Sequence, residues 1–185
     1  DHNHQNRNNS IAVVFGTRPE IIKLGHVVRI LGGRSKIIHT GQHYDEGLSR
    51  SFLDVFGIEE PDVHLEVGGL TRAGQIGLAV AALGEVFGSD RPQAVVVQGD
   101  TNATLAGALA ANAHEIPIVH VEAGLRSFDR RMPEEHNRVL TDHLGDVLCA
   151  STETARQNLL AEGVPDTRVT VTGNTVIEAV MTLMP

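Results

Sequence analysis

The chain has 185 residues, 41% hydrophobic and 21% charged, which suits one well-cored globular domain and excludes a disordered or low-complexity polypeptide. Its net charge of −8 argues against a general nucleic-acid or membrane-surface binder, and no apolar run approaches the roughly 20 residues of a membrane helix. Cys149 is the single cysteine, so an internal disulfide is impossible and a cytoplasmic setting is expected.

Residues 1–10, DHNHQNRNNS, have no apolar core for a signal peptide and read as a disordered leader, an expression remnant or a processed end. From residue 11 onward, short apolar runs alternate with longer segments of helical periodicity, the pattern of βα units around a parallel sheet. Strand 11–15 leads to a helix from Pro19 to about Leu31, and strand 36–40 to a helix near 46–55. Segment 62–67 alternates like an edge strand and precedes a helix from about Arg72 to Phe87. AVVVQ at 94–98 is apolar almost throughout, as expected of a central strand covered on both faces, and an alanine-rich helix follows at 102–113. Strand 116–122, a helix over 133–145 stopped by Gly145, strand 147–151, a helix over 152–163, strand 168–173 and a last helix from about Thr175 complete the series. The expected fold is one three-layer α/β domain with a Rossmann-like parallel sheet, over 11–180.

In such a sheet, ligands bind beyond the carboxyl ends of the strands, so the loops after each strand are the segments to read. No G-x-G-x-x-G, P-loop, H-E-x-x-H, C-x-x-C or G-x-S-x-G occurs, which points to chemistry without a dinucleotide, metal or other cofactor. In FGTRPEIIK, Pro19 sits at a helix start and places Arg18 and Lys23 beside free N–H groups. That is either a phosphate or sugar contact or a plain turn with two solvated cations. Asp100 in QGDTNAT is either an N-cap of the next helix or a carboxylate at the sheet edge. In IVHVE, alternation puts Val119 and Val121 on one face, and His120 and Glu122 on the other. Glu122 at a buried strand end needs a partner, with Arg126 the nearest in sequence, or a tuned pKa. Glu134 and Glu135 occupy a first helical turn, where the dipole favours them, and Glu134 is spaced for an i, i+4 pair with Arg138. Gln42, His43 and Asp45, and Thr172, Asn174 and Thr175, lie on loops after strands and are equally compatible with turn chemistry. His26, His64, His114 and His143 read as structural or solvated.

Taken together and in order, FGTRPEIIK, TGQHYD, QGDTNATLAGALAA, HVEAGLRS, MPEEHNR and VTGNTVI resemble the N-terminal half of the non-hydrolysing UDP-N-acetylglucosamine 2-epimerases. The resemblance implies one of two Rossmann-like domains in a glycosyltransferase-B-like arrangement, with the hinge beginning near 181–185 and the second domain absent. It also implies reversible inversion at C2 of UDP-GlcNAc to UDP-ManNAc, through UDP elimination and re-addition, in the service of polysaccharide biosynthesis. By motif position it assigns catalytic roles to Asp100, Glu122 and Glu134 and substrate contacts to Arg18 and Lys23. Gln42 and His43 fall near a family regulatory site, although Asp45 departs from the pattern there. Arg126 and Arg138 are expected to hold the carboxylates in place. A UDP-sugar as the only ligand, no metal, no nucleic acid or membrane partner and a homodimer at full length are further expectations. Two alternatives stand beside this one: the acceptor-side domain of a glycosyltransferase of the same architecture, in which the three carboxylates share no acid/base task, and a non-catalytic truncated module. The chain alone is expected to be inactive.

Overall fold

A computed structural model describes residues 10–43 and 45–171, together with 178, 180 and 183. Its strands are β1 Ile11–Phe15, β2 Ser35–His39, β3 Val63–His64, β4 Ala94–Gln98, β5 Ile118–Ala123, β6 Val147–Ala150 and β7 Val169–Val171. The helices are α1 Arg18–Leu31, α2 Glu46–Ser51, α3 Arg72–Ser89, α4 Asn102–Ala113, α5 Pro133–Leu144 and α6 Glu153–Ala161. All pairings are parallel, and the strands form one sheet in the order β3-β2-β1-β4-β5-β6-β7. This is the expected Rossmann-like three-layer α/β fold.

Both faces of the central strands are covered, which is why β1 and β4 are buried at every position and carry no alternation. On one face Val13, Phe15, Val96 and Val119 pack with Ile21, Leu24 and Val28 of α1 and with Phe52 and Phe56. On the other, Val14, Val95 and Val97 meet Leu83 and Phe87 of α3 and the alanines of α4. The alanine-rich sequence of α4 lets it lie close to the sheet: a Cβ on Gly107 would come within 2.9 Å of Val97 Cγ1. Two elements differ from expectation. The helix expected to run to residue 55 is α-helical only to Ser51 and widens into a π-helical turn over Phe52–Phe56. The segment 62–67 pairs only at Val63 and His64, so most of it is loop rather than strand. The last expected helix, and Thr172, Asn174 and Thr175, fall largely or wholly outside the described residues.

Sequence-adjacent strands diverge on either side of β1, whose neighbours are β2 and β4. The loops after β1 and β4 leave this switch point in opposite directions and open a crevice at the carboxyl edge.

Candidate active site

A cleft of about 310 Å³ occupies that crevice, lined by Thr17, Glu20 and Lys23 after β1, Gln98 at the end of β4 and Gly99 to Thr101 beyond it, Glu122 near the end of β5 and Leu125 beyond it, with Arg138 closing it from α5. Strand ends and helix starts thus converge on one space.

Glu122 owes its position to a backbone irregularity. The β5–β6 register shifts between Val121 and Ala123, and Glu122 adopts φ 63°, a left-handed conformation that costs a non-glycine residue about 1 kcal/mol or more. The expected alternation therefore fails here. Ala123, not Glu122, takes the face of His120 and packs with Leu148 and Leu159. Glu122 is swung to the edge, where its Oε1 and Oε2 each lie 3.0 Å from Lys23 Nζ on α1, and Gln98 Nε2 donates to Oε2 at 2.9 Å.

Asp100 is not an N-cap. Thr101 fills that role for α4, accepting from Thr104 N at 3.2 Å, and this leaves the Asp100 carboxylate turned to the cleft, 3.2 Å from Arg138 Nη1. Burial raises the pKa of Asp100 above the ordinary aspartate value. Arg138 opposes the rise, and the negative charges of Glu134 and Glu122 add to it. The three expected carboxylates therefore share one electrostatic neighbourhood. Asp100 and Glu122 line the cleft, while Glu134 is exposed at the first turn of α5 and makes no ion pair with a described residue.

Of the two arginines expected to hold these carboxylates, only Arg138 does so. It joins Asp100 to Glu135 Oε1 (2.7 Å), so its helix partner is the i−3 glutamate and not Glu134. Glu135 in turn accepts from the amide of Ser127 at 2.9 Å and from that of Phe128, fixing the loop before α5. Burial works against ionisation of Glu135, but Arg138 and these amides outweigh it, and its pKa lies below the glutamate norm. Arg126 does not reach Glu122. Its guanidinium, 1% exposed, pairs with Asp142 Oδ2 at 2.8 Å and with both oxygens of Glu162 at 2.7 and 3.0 Å, because the chain turns back after Gly124 and carries it between α5 and α6.

Lys23 lines the cleft, whereas Arg18 does not: its guanidinium is half exposed and lies 3.8 Å from Asp45, beside the start of α2. Gln42 and His43 face away from it. Gln42 Oε1 accepts from Ala103 N at 3.2 Å, capping α4 from a neighbouring loop, and His43 bonds Gly16 O through its amide while its side chain is exposed. Among the described residues, no group of three or more His, Cys, Asp or Glu is arranged to hold a metal ion.

Several residues of the site escaped the sequence reading. Gln98 is a polar residue ending an apolar strand, a signal as plain as that of Glu122. Glu20 follows Thr17 at capping-box spacing and reaches back to the amides of Gly16 and Thr17 from a fully buried position. His120 and Asp142 left no local signal: His120 Nδ1 lies 2.6 Å from Asp142 Oδ1 and Nε2 lies 2.7 Å from Gly99 O, a partnership between residues on different elements.

A doubly wound parallel sheet with acids and cations gathered at its switch point defines an α/β domain suited to an anionic ligand and to proton transfer on it. The family model described as UDP-N-acetylglucosamine 2-epimerase matches residues 32–185, and the chain belongs to that family. It is 46% identical over 170 residues to the UDP-N-acetylglucosamine 2-epimerase of Methanococcus maripaludis, covering 91% of the chain and 46% of that protein. It is also 43% identical over 157 residues to the UDP-2,3-diacetamido-2,3-dideoxy-D-glucuronate 2-epimerase of Pseudomonas aeruginosa, covering 83% of the chain and 44% of that protein. The crystal structure of the Methanocaldococcus jannaschii UDP-GlcNAc 2-epimerase in complex with UDP-GlcNAc and UDP superposes with a TM-score of 0.84 at 45% identity, over 94% of the chain and 49% of that structure. The chain spans about half the length of the relatives it matches.

Proposed function

We propose that residues 11–180 are the N-terminal, catalytic half of a two-domain, glycosyltransferase-B-like UDP-N-acetylglucosamine 2-epimerase, which acts on a UDP-2-acetamido sugar and works as a homodimer. Family membership supports the reaction class, and the observation that carries the reading is the convergence of Asp100 and Glu122 on one cleft with Lys23 and Arg138. Epimerisation by elimination breaks the C2–H bond and the C1–O bond to UDP, giving a 2-acetamidoglucal, and re-addition of UDP with protonation from the other face restores both bonds. Such a sequence needs a base, an acid on the opposite face and negative charge beside C1 as positive charge develops there.

Asp100, its pKa raised by burial, is suited to exchange a proton at C2. Glu122 supplies negative charge beside C1. Glu134, exposed on the first turn of α5, is the second proton-handling group. Lys23 and Arg18 receive the diphosphate, and Arg138 keeps Asp100 in place. Gln42 and His43 face away from the cleft and contribute only secondary contacts, Gln42 by capping α4 at Ala103 N.

The test is UDP-ManNAc formation from UDP-GlcNAc in deuterium oxide, with deuterium read at C2 by mass spectrometry. The 185-residue chain alone is expected to show no turnover. The polypeptide continued through a second domain is expected to epimerise and to incorporate deuterium, and D100N and E122Q are expected to lose at least 100-fold in turnover, as removal of acid/base groups does. Epimerisation without deuterium at C2 would overturn the elimination mechanism. Undiminished turnover in both variants would overturn the assignment of these carboxylates.

A further inference from the structure

Glu20 forms the rear wall of the cleft and has no part in the assignments above. Its side chain is buried, 1% exposed, and makes no ion pair with a described residue. Three donors converge on a single oxygen: Gly16 N at 3.1 Å, Thr17 N at 3.0 Å and Thr17 Oγ1 at 2.9 Å reach Oε1. Oε2 is buried with no hydrogen-bond partner among the described residues. One oxygen acting as a carbonyl acceptor and the other without a donor is the pattern of a carboxylic acid, not of a carboxylate, whose second charged oxygen would be stranded.

A second hydroxyl reinforces this. Thr101, the N-cap of α4, lies close enough to Glu20 to influence its titration. Thr104 Oγ1 donates its one proton to Gln98 O at 2.7 Å, so in the 3.0 Å contact between the two threonine hydroxyls the donor is Thr101. With that proton committed, Thr101 has only a lone pair left for Glu20, and a proton between them has to come from the acid. The threonine hydroxyls then run in one direction, Thr101 to Thr104 to the carbonyl of Gln98, whose side chain donates to Glu122. Burial pushes the Glu20 carboxyl up to about 7, against the pull of the Gly16 and Thr17 donors. The other ionisable groups lining the same cleft are Lys23 on α1, Asp100 after β4, Glu122 on β5 and Arg138 on α5.

We propose that Glu20 is a positioning residue that acts as a neutral acid, tying the β1–α1 loop to the N-terminus of α4 so that Lys23 and Asp100 face each other across the cleft at a fixed separation. Deprotonation places an unpaired charge beside Asp100 and Glu122 and loosens the loop that carries Asp100. The structural part of this inference is independent of the epimerase reading; its effect on turnover rests on that reading.

The experiment is a carbon-13 titration of glutamate carboxyls in the full-length protein from pH 4 to 9, on the wild type and on E20Q, with thermal unfolding followed over the same range. Glutamine preserves the acceptor oxygen and supplies a permanent donor in place of Oε2–H. One carboxyl is expected to stay protonated well above the glutamate norm of 4.5 and to titrate near 7, and its signal to vanish in E20Q. Because the folded pKa is raised, stability relative to E20Q is constant below about pH 4.5 and falls as pH rises from there through about 7. E20Q is expected to lack this alkaline decline, and in an active enzyme to shift the alkaline limb of kcat upward in pH, whereas E20A lowers stability at every pH. A wild-type spectrum with every glutamate titrating near 4.5 would sink the proposal, as would an E20Q protein that loses as much stability as E20A. Absence of turnover in the wild type would refute the epimerase reading and leave the titration result standing.

Discussion

Asp142 is the most consequential single carboxylate outside the cleft, and replacing it by alanine gives a prediction with a worked magnitude. It is fully buried and accepts from three donors: His120 Nδ1 at 2.6 Å, Arg126 Nη1 at 2.8 Å and Gly124 N at 3.0 Å. Truncating one partner of a buried ion pair costs about 3–5 kcal/mol, because the other charge is left uncompensated. Arg126 keeps its two bonds to Glu162, which places its share at the low end, about 3 kcal/mol. The Gly124 amide, buried and unpaired, adds about 1–3 kcal/mol, and the two losses overlap because they share one loop. The expected loss is about 3–5 kcal/mol, a large part of the roughly 5–15 kcal/mol that holds a domain together. Urea unfolding at pH 7 measures it, with an unchanged slope expected if the same surface is exposed. Hydrogen exchange at the Gly124 amide should accelerate in parallel, since that amide anchors the segment just after Glu122. A loss below about 1 kcal/mol would show that the network is not a buried, mutually dependent unit, and the reasoning would be refuted.

Asp142 also sets an acid limit. Burial opposes its ionisation, but His120 and Arg126 hold its pKa below the ordinary aspartate value, so its contribution is present above about pH 4 and is lost as pH falls through the depressed folded value. Unfolding measured between pH 2 and 5 should show this decline in the wild type and not in D142N. Arg138→Ala removes the cation shared by Asp100 and the buried Glu135, and is expected to cost about 3 kcal/mol in denaturant unfolding and to raise the Asp100 pKa further in a carbon-13 titration. Gly16→Ala should cost about 1–3 kcal/mol, because a Cβ there would meet Thr40 Oγ1 at 2.6 Å and Gln42 Cβ at 2.8 Å where the loops after β1 and β2 cross; a neutral result in thermal unfolding would mean that these loops shift freely.

Hydrophobic periodicity was enough to place the strands and helices, because burial on two faces or on one stripe is written into the spacing of apolar residues. It failed where pairing partners decide the outcome: segment 62–67 had the alternation of a strand but pairs at only two positions, and 52–55 carried helical spacing while the backbone widened around packed phenylalanines. The candidate site was legible to the same degree. Asp100 and Glu122 could be singled out because they sit at strand ends, which in a parallel sheet share one edge, and Lys23 because it lies on the helix that starts just beyond β1.

Their partners were not legible. Arg126 adjoins Glu122 in sequence yet serves Asp142 and Glu162, while Lys23, separated from Glu122 by 99 positions, bonds both of its oxygens. Glu135, not Glu134, meets Arg138 because the approach of the loop at Ser127 and Phe128 selects the inward-facing acid. The order of elements, the sheet edge and the residue types available there follow from the chain alone, since they depend on local spacing and solvation. Which charge meets which, which acid is neutral and which loop is held depend on distances between segments remote in sequence, and those exist only once the sheet has brought the segments together.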